Sequence, residues 1–282
     1  MLRFHLLLFF STSFLSIAYA FEWHRGLYQI DHMDSGIQFA NYGEHSSEIS
    51  AESLPAEFSK LAEFSAPNAA KLFFRASTGI LGKWEGPGKF AIEAFDHSWL
   101  EDELSDALTR TVLYFDKGLL FINAEAFDDK SFILVETPLG RVTSYGGIFS
   151  LRLEDFEGDT QRNAVIYCYK GSLEYTDQKG ITHTLSNGNK MPIILNDDLL
   201  KVVTAVMDEL ELRALSNFNK ERDNFIEADT FPKLEKPTRV NSNQSDKSES
   251  EGDSLKEYYY FPTLKKIKPF DPYKKPYSPS ED

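Results

Sequence analysis

Glu136-Thr137-Pro138-Leu139-Gly140-Arg141-Val142-Thr143-Ser144-Tyr145-Gly146-Gly147-Ile148-Phe149-Ser150-Leu151 is the stretch whose reading decides the fold. An apolar run from Phe132 ends at Thr137, where Pro138-Leu139-Gly140 brings turn chemistry: proline presets φ and glycine accepts positive φ. Val142 to Tyr145 reads as a second strand, Gly146-Gly147 as a break, and Ile148 to Leu153 as a third strand. Short apolar runs between glycine-bearing turns predict strands rather than helices.

The same punctuation extends in both directions. Thr111 to Phe115 and Leu119 to Asn123 flank Asp116-Lys117-Gly118. Ala164 to Tyr169 and Ser172 to Tyr175 flank Lys170-Gly171. Ile181 to Leu185 leads through Asn187-Gly188 into Met191 to Leu195. Regular short strands at such spacing argue an all-β sandwich, barrel or solenoid. The two Lys-Gly turns form a weak internal echo, which fits a stacked architecture. Abundant Phe (23) and Tyr (13) in 282 residues suit strands as well.

Around this core the chain divides into five parts. Residues 1–20 read as a cleavable signal peptide: Arg3, an apolar core broken by Ser11-Thr12-Ser13, and a terminal Ala18-Tyr19-Ala20 of small-x-small form. Residues 21–67 form a mixed N-terminal region with a helix predicted from Ser53 to Phe64, capped by Ser53, with Phe58, Leu61 and Ala62 on one face. Residues 68–195 form the β domain, interrupted from His97 to Leu108 by a helix or loop excursion. Residues 196–232 are read as helix and linker. Asn196-Asp197-Asp198 would cap a helix from Leu199 to about Phe218, docking through Val202, Val203, Val206, Leu210 and Leu215. Residues 233–282 are read as a flexible tail, polar from Asn241 to Ser254 and proline-rich at its end. Tyr258-Tyr259-Tyr260-Phe261 and Leu264 to Ile267 make one apolar, basic docking segment within it.

Charge and chemistry narrow the function. The formal charge of −14 becomes −15 once Arg3 is removed, and a chain this acidic lacks the basic face nucleic acid needs. Cys168 is the single cysteine, so an exported chain has no internal disulfide; it reads as a buried, inert thiol. No His or Cys spacing matches a metal site, and no catalytic constellation stands out, so neither cofactor nor metal is expected. Asp31-His32-Met33-Asp34 reads as a solvated loop, and Asp96-His97 near Glu101, Asp102 and Glu103 as an acidic surface. Trp23, Trp84 and Trp99 could form a sugar-stacking platform, but scattered Trp residues read first as core.

The quoted stretch resembles the central signature of the FecR domain family, T-P-x-G-x-(apolar)-x-(apolar)-x-G-T-x-F-x-(apolar). The likeness continues in order. Tyr169-Lys170-Gly171-Ser172-Leu173 sits where the family has an acid, Gly, any residue and an apolar residue, and Leu185-Ser186-Asn187-Gly188 matches Leu-x-x-Gly. It spans roughly Leu72 to Leu195, and it picks out Thr137, Pro138, Gly140, Gly146, Phe149, Gly171 and Gly188 as structural motif residues. Ser144 stands where the family has an apolar residue, Gly147 where it has Thr, and Lys170 where it has an acid; partner contacts at those positions are not carried over.

The resemblance implies a FecR-like stacked β-sandwich or β-solenoid in the periplasm. In membrane-spanning regulators of this family the module receives a signal from an outer-membrane transporter, and a transmembrane helix relays it to an anti-sigma segment. Here the one apolar segment ends in a cleavage site, so no stable transmembrane anchor is expected and the chain resembles the stand-alone exported versions. The expected function is a non-catalytic binding or scaffold module of the cell envelope, with a protein or envelope polymer as partner. The alternative is a periplasmic signal-receiving protein acting with a transporter or anti-sigma partner.

Overall fold

A computed structural model describes residues 23–41, 53–59, 61–98, 108–127, 131–155, 162–196, 199–226 and 231–232. The expected signal peptide and tail lie outside the described residues. In chain order the strands are β1 (His24–Arg25), β2 (Tyr28–Met33), β3 (Gln38–Asn41), β4 (Ala56–Phe58), β5 (Ala62–Ala66), β6 (Lys71–Ala76), β7 (Ile80–Glu85), β8 (Gly88–Ser98), β9 (Leu108–Phe115) and β10 (Gly118–Ala124). They continue with β11 (Phe132–Thr137), β12 (Gly140–Ser144), β13 (Gly147–Asp155), β14 (Arg162–Lys170), β15 (Ser172–Asp177), β16 (Thr182–Ser186), β17 (Asn189–Asn196), β18 (Leu199–Val202) and β19 (Ala205–Val206), followed by helix α1 (Glu209–Phe225).

The fold is mainly β, as the sequence predicts: two large, open sheets stacked face to face. The first has the order β16-β15-β12-β11-β9-β8-β5-β3, with β1 on β8. The second has the order β18-β17-β14-β13-β10-β7-β6-β2-β4, with β19 on β17. The Lys-Gly turns are crossings between sheets rather than hairpins. Asp116-Lys117-Gly118 carries the chain from β9 to β10, and Lys170-Gly171 from β14 to β15. After one strand in the second sheet the chain returns as β11, parallel to β9, with Val135 opposite Leu113. The other strand pairs are antiparallel among the described residues. Inward residues alternate along each strand, as in β9, where Thr109, Thr111, Leu113 and Phe115 are buried.

Three sequence expectations are corrected. No helix forms from Ser53 to Phe64; β4 and β5 lie there instead. Ala62, Phe64 and Ala66 are buried at a period of two, and β5 pairs with β3 and β8. Long-range pairing has overridden a local helix signal. Nor is residue 67 a structural boundary, since β2 pairs with β6 and β5 with β8. His97 and Leu108 belong to strands β8 and β9; the residues between 98 and 108 lie outside the described residues.

The C-terminal helix exists but begins later than predicted. Leu199 to Val202 and Ala205–Val206 pair with β17, and α1 starts only at Glu209. Asp208 fixes that start by a reciprocal capping box with Glu211 (2.9 and 2.8 Å). The expected docking stripe is therefore wrong in detail. Val206 and Leu210 are 76% and 74% exposed, and the buried anchor is Phe218.

Candidate functional site

The family-motif residues fall at the two ends of the sandwich and serve the backbone. At one end Thr137 Oγ1 donates to Gly140 O (2.8 Å) and accepts from Leu139 N (3.2 Å), closing the turn in which Pro138 sits. Tyr175 Oη donates to Leu139 O (2.6 Å) from the core. Gly146, Gly171 and Gly188 gather at the other end, where Gly188 N donates to Cys168 O (2.8 Å). Phe149 is fully buried between the sheets.

Two of the family departures have local reasons. Ser144 is buried and turns its hydroxyl back on the chain, donating to Gly146 O (2.8 Å) and accepting from Gly146 N (3.2 Å). Gly147 has φ +96°, and a Cβ there would stand 2.2 Å from Lys170 O. Threonine could not occupy that place without parting β13 from β14. Lys170 is exposed and pairs with Glu125.

The candidate chemical groups elsewhere are tied into the fold. Asp31 is no solvated loop residue: it lies in β2 and accepts both arms of the Arg75 guanidinium (2.9 and 2.6 Å). His32 Nε2 lies 2.9 Å from Asp34 Oδ1, and its ring stacks on Phe225 at 3.9 Å. Asp96 pairs with Arg110, which lies over the Trp23 ring at 4.9 Å. Trp84 is buried in the core, so among the described residues it offers no stacking platform with Trp23; Trp99 lies outside the described residues.

Ser77 Oγ lies 2.8 Å from His97 Nε2, a geometry that could begin a nucleophilic pair. That hydroxyl also accepts Leu27 N (2.9 Å). A Cβ on Gly26 would stand 2.4 Å from it, so the Gly26 backbone closes the approach. Burial pulls the His97 imidazole down to about 4, against an opposing pull from Asp96. Burial likewise pushes the Cys168 thiol up to about 11. Among the described residues no three His, Cys, Asp or Glu side chains are grouped to hold a metal ion, and no helix is long and apolar enough to cross a membrane.

The open site is one that the sequence reading missed. Phe73, Leu81, Phe121, Ile148 and Tyr169 point outward from the second sheet and meet Met207, Phe218 and Ile226 in a second core beneath α1. Phe218 stacks on Phe121 at 4.0 Å and on Phe73 at 6.4 Å. Ion pairs fasten the helix on either side. Glu221 binds Lys71 (2.8 Å) and Lys83 (2.7 Å), and Lys190 binds Glu211 (2.6 Å). Burial alone would raise the Glu221 pKa, but the hydrogen bonds from Lys71 and Lys83 outweigh it and hold that carboxyl below the usual range.

Helix and sheet diverge on one side into a groove of about 750 Å³. Tyr167 and Tyr169 line it from β14, Phe121 and Leu119 from β10, and Leu210, Ala214 and Asn217 from α1. Arg152 and Glu154 pair with each other at the rim (2.6 Å). Tyr169 Oη lies 3.3 Å from Ser150 Oγ, and burial raises the pKa of both groove phenols. The arrangement offers an aromatic floor, an exposed aliphatic edge and fixed charges, which suits holding an extended chain or ring-bearing ligand. A sequence signal for it existed: Phe73, Phe121, Tyr167 and Tyr169 stand at the outward parity of strands whose inward parity is also apolar.

No protein-family model matches this chain, and no curated protein matches it significantly. Among solved structures it is similar to two crystal structures described as of a "putative anti-sigma factor" from Parabacteroides distasonis ATCC 8503, at 2.50 and 1.65 Å resolution. Each is 15% identical, with TM-scores of 0.39 and 0.36, and each match covers 56% of this chain. The matched part spans 64% of those chains, under two thirds of their length. No functional statement follows from likeness this remote.

Proposed function

We propose that this chain is an exported, non-catalytic FecR-like binding module of the cell envelope, and that it binds through the groove between α1 and the second sheet. The observation that carries the reading is the groove itself, lined by half-buried Tyr167 and largely exposed Leu210 together with the buried Phe121 and Tyr169, while the polar groups that could have done chemistry are engaged within the fold. The ordered Thr-Pro-x-Gly and Gly-x-x-Phe pieces support the FecR-like assignment.

The test is capture of partners from intact envelope by the purified chain, with Tyr167→Ala and Leu210→Glu as groove variants. A protein or envelope polymer retained by the native chain and lost with either variant is expected. Equal retention by all three removes the groove from the account. Turnover of glycans, peptides or esters by the purified protein overturns the non-catalytic part. Capture of an outer-membrane transporter would move the reading to the signal-receiving alternative.

A further inference from the structure

We infer that the groove is a docking site for the chain's own C-terminal segment, Tyr258 to Lys268, so that the module occludes its own binding surface. The inference rests on the groove reading above but on no external partner. Three observations carry it.

The first is where the chain goes. After α1 it comes back to the second core: Phe231 packs against it and Pro232 is buried. Residues 233–282, which lie outside the described residues, therefore start from the second core, one member of which, Phe218, also lines the groove. The 25 residues between Pro232 and Tyr258 have a contour length of up to roughly 85 Å, so length does not forbid the contact.

The second is charge. Residues 233–282 carry ten basic and nine acidic side chains and residues 1–20 only Arg3, so of the total −14 the span 21–232 holds −16. Against that acidic body, Tyr258 to Lys275 carries five lysines and the single acid Asp271. The groove's lining carries Glu85, Glu154, Glu211 and Glu221 against Lys83, Lys117 and Arg152.

The third is the chemistry of the two surfaces. Tyr258-Tyr259-Tyr260-Phe261 offers four consecutive rings to a groove whose lining includes half-buried Tyr167 and exposed Leu210. Leu210 lines the groove and leaves most of its side chain uncovered among the described residues. Aromatic rings followed by lysines suit a groove with an aromatic and aliphatic edge on an acidic body.

Tethering makes a weak contact sufficient. With an effective concentration of about 1 mM and an intrinsic Kd of about 0.1 mM, roughly nine tenths of the tails are docked. Chymotrypsin cuts only the undocked fraction, so cleavage after residues 258–261 slows about tenfold when opening is fast. The experiment uses the full chain, comparing the native protein with Leu210→Glu and with Lys265→Glu/Lys266→Glu/Lys268→Glu. Trypsin cleavage after Lys247 and the melting midpoint serve as controls. The expected result is about tenfold faster cleavage at 258–261 in both variants, with both controls unchanged. Equal cleavage in all three proteins overturns the inference, as does protection that survives Leu210→Glu. Protection that fades on tenfold dilution also overturns it, because the occupant is then a second copy. Envelope capture is not involved, so this inference and the proposed function fail separately.

Discussion

Phe218→Ala is the substitution that tests the second core most directly. The ring lies between Phe121 (4.0 Å, interplanar 14°) and Phe73 (6.4 Å, 16°) and is almost fully buried. Burying a phenylalanine is worth about 1.5–3 kcal/mol, and its aromatic pairing about 0.5–1.5 more. Truncation also leaves a cavity, which places the loss at roughly 3–5 kcal/mol if α1 stays docked. It need not stay. A helix of 17 residues is marginal on its own, so the loss is capped by the free energy of docking. The assay is urea unfolding followed in parallel by ellipticity at the helix band and by tryptophan fluorescence, to which the buried Trp84 contributes. The native chain should give coincident transitions. Phe218→Ala should lose helix at lower urea than fluorescence, with a melting midpoint lower by roughly 6–12 °C for about 3 kcal/mol. Phe218→Leu should cost far less. Coincident transitions and a midpoint within about 2 °C of native would refute the reasoning, because α1 would then be held by something other than this ring.

Gly147→Ala should cost more than about 3 kcal/mol, since φ +96° is strained for any Cβ and the atom meets Lys170 O at 2.2 Å. Gly146→Ala, also at positive φ but with its nearest contact at 3.5 Å, should cost about 1 kcal/mol; melting midpoints in the reverse order would sink the comparison. His97 is held neutral by burial, with Asp96, His24 and Ser77 its neighbours and its pKa pulled from 6.5 to about 4. A depressed folded pKa gives stability that is whole above pH 6.5 and drains away as pH falls toward 4, by at most roughly 3 kcal/mol. His97→Gln should flatten the stability profile in that window, and an unchanged slope assigns it to other groups. Cys168 is buried, its Sγ donating to Gly171 O (3.4 Å) and its pKa raised to about 11. A thiol reagent at pH 8 should therefore label it only as fast as the sandwich opens, whereas immediate stoichiometric labelling contradicts this burial.

The central strands were legible because their sequences alternate around glycine turns, and the turns lie where Gly118, Gly140, Gly147 and Gly171 put them. What sequence could not give is which turns cross between sheets. Lys170-Gly171 and a hairpin turn look alike as text; the difference lies in whether β14 pairs with β15 or with β17. Phe58, Leu61 and Ala62 were read on a helical period because Ser53 imitates a helix cap, and only the pairing of Ala62 and Phe64 with β3 and β8 reveals a period of two. In the C-terminal region Val202, Val206 and Leu210 looked like one helical stripe, yet Val206 is opposite Asn189 in a short strand. The capping box at Asp208 was visible in the sequence as Asp followed three residues later by Glu, and it marks the true start of α1.

Fold and function are written at different parities of the same strands. Inward residues such as Ile166 and Cys168 close the sandwich, while Tyr167 and Tyr169, alternating with them, line the groove. Gly146, Gly171 and Gly188 set crossings between the sheets, and none of the three lines the groove. Chains that share the crossings can therefore differ wholly in what they bind, and the outward residues of β10, β13 and β14 are where such differences must be sought. An outer face that is apolar on a strand whose inner face is also apolar requires a cover. Here α1 covers part of it through Phe218, and the uncovered remainder is the groove. The groove is thus what a helix of this length leaves open when its anchor sits toward its C-terminal half. Its extent is set by the distance along α1 from Phe218 back to Leu210.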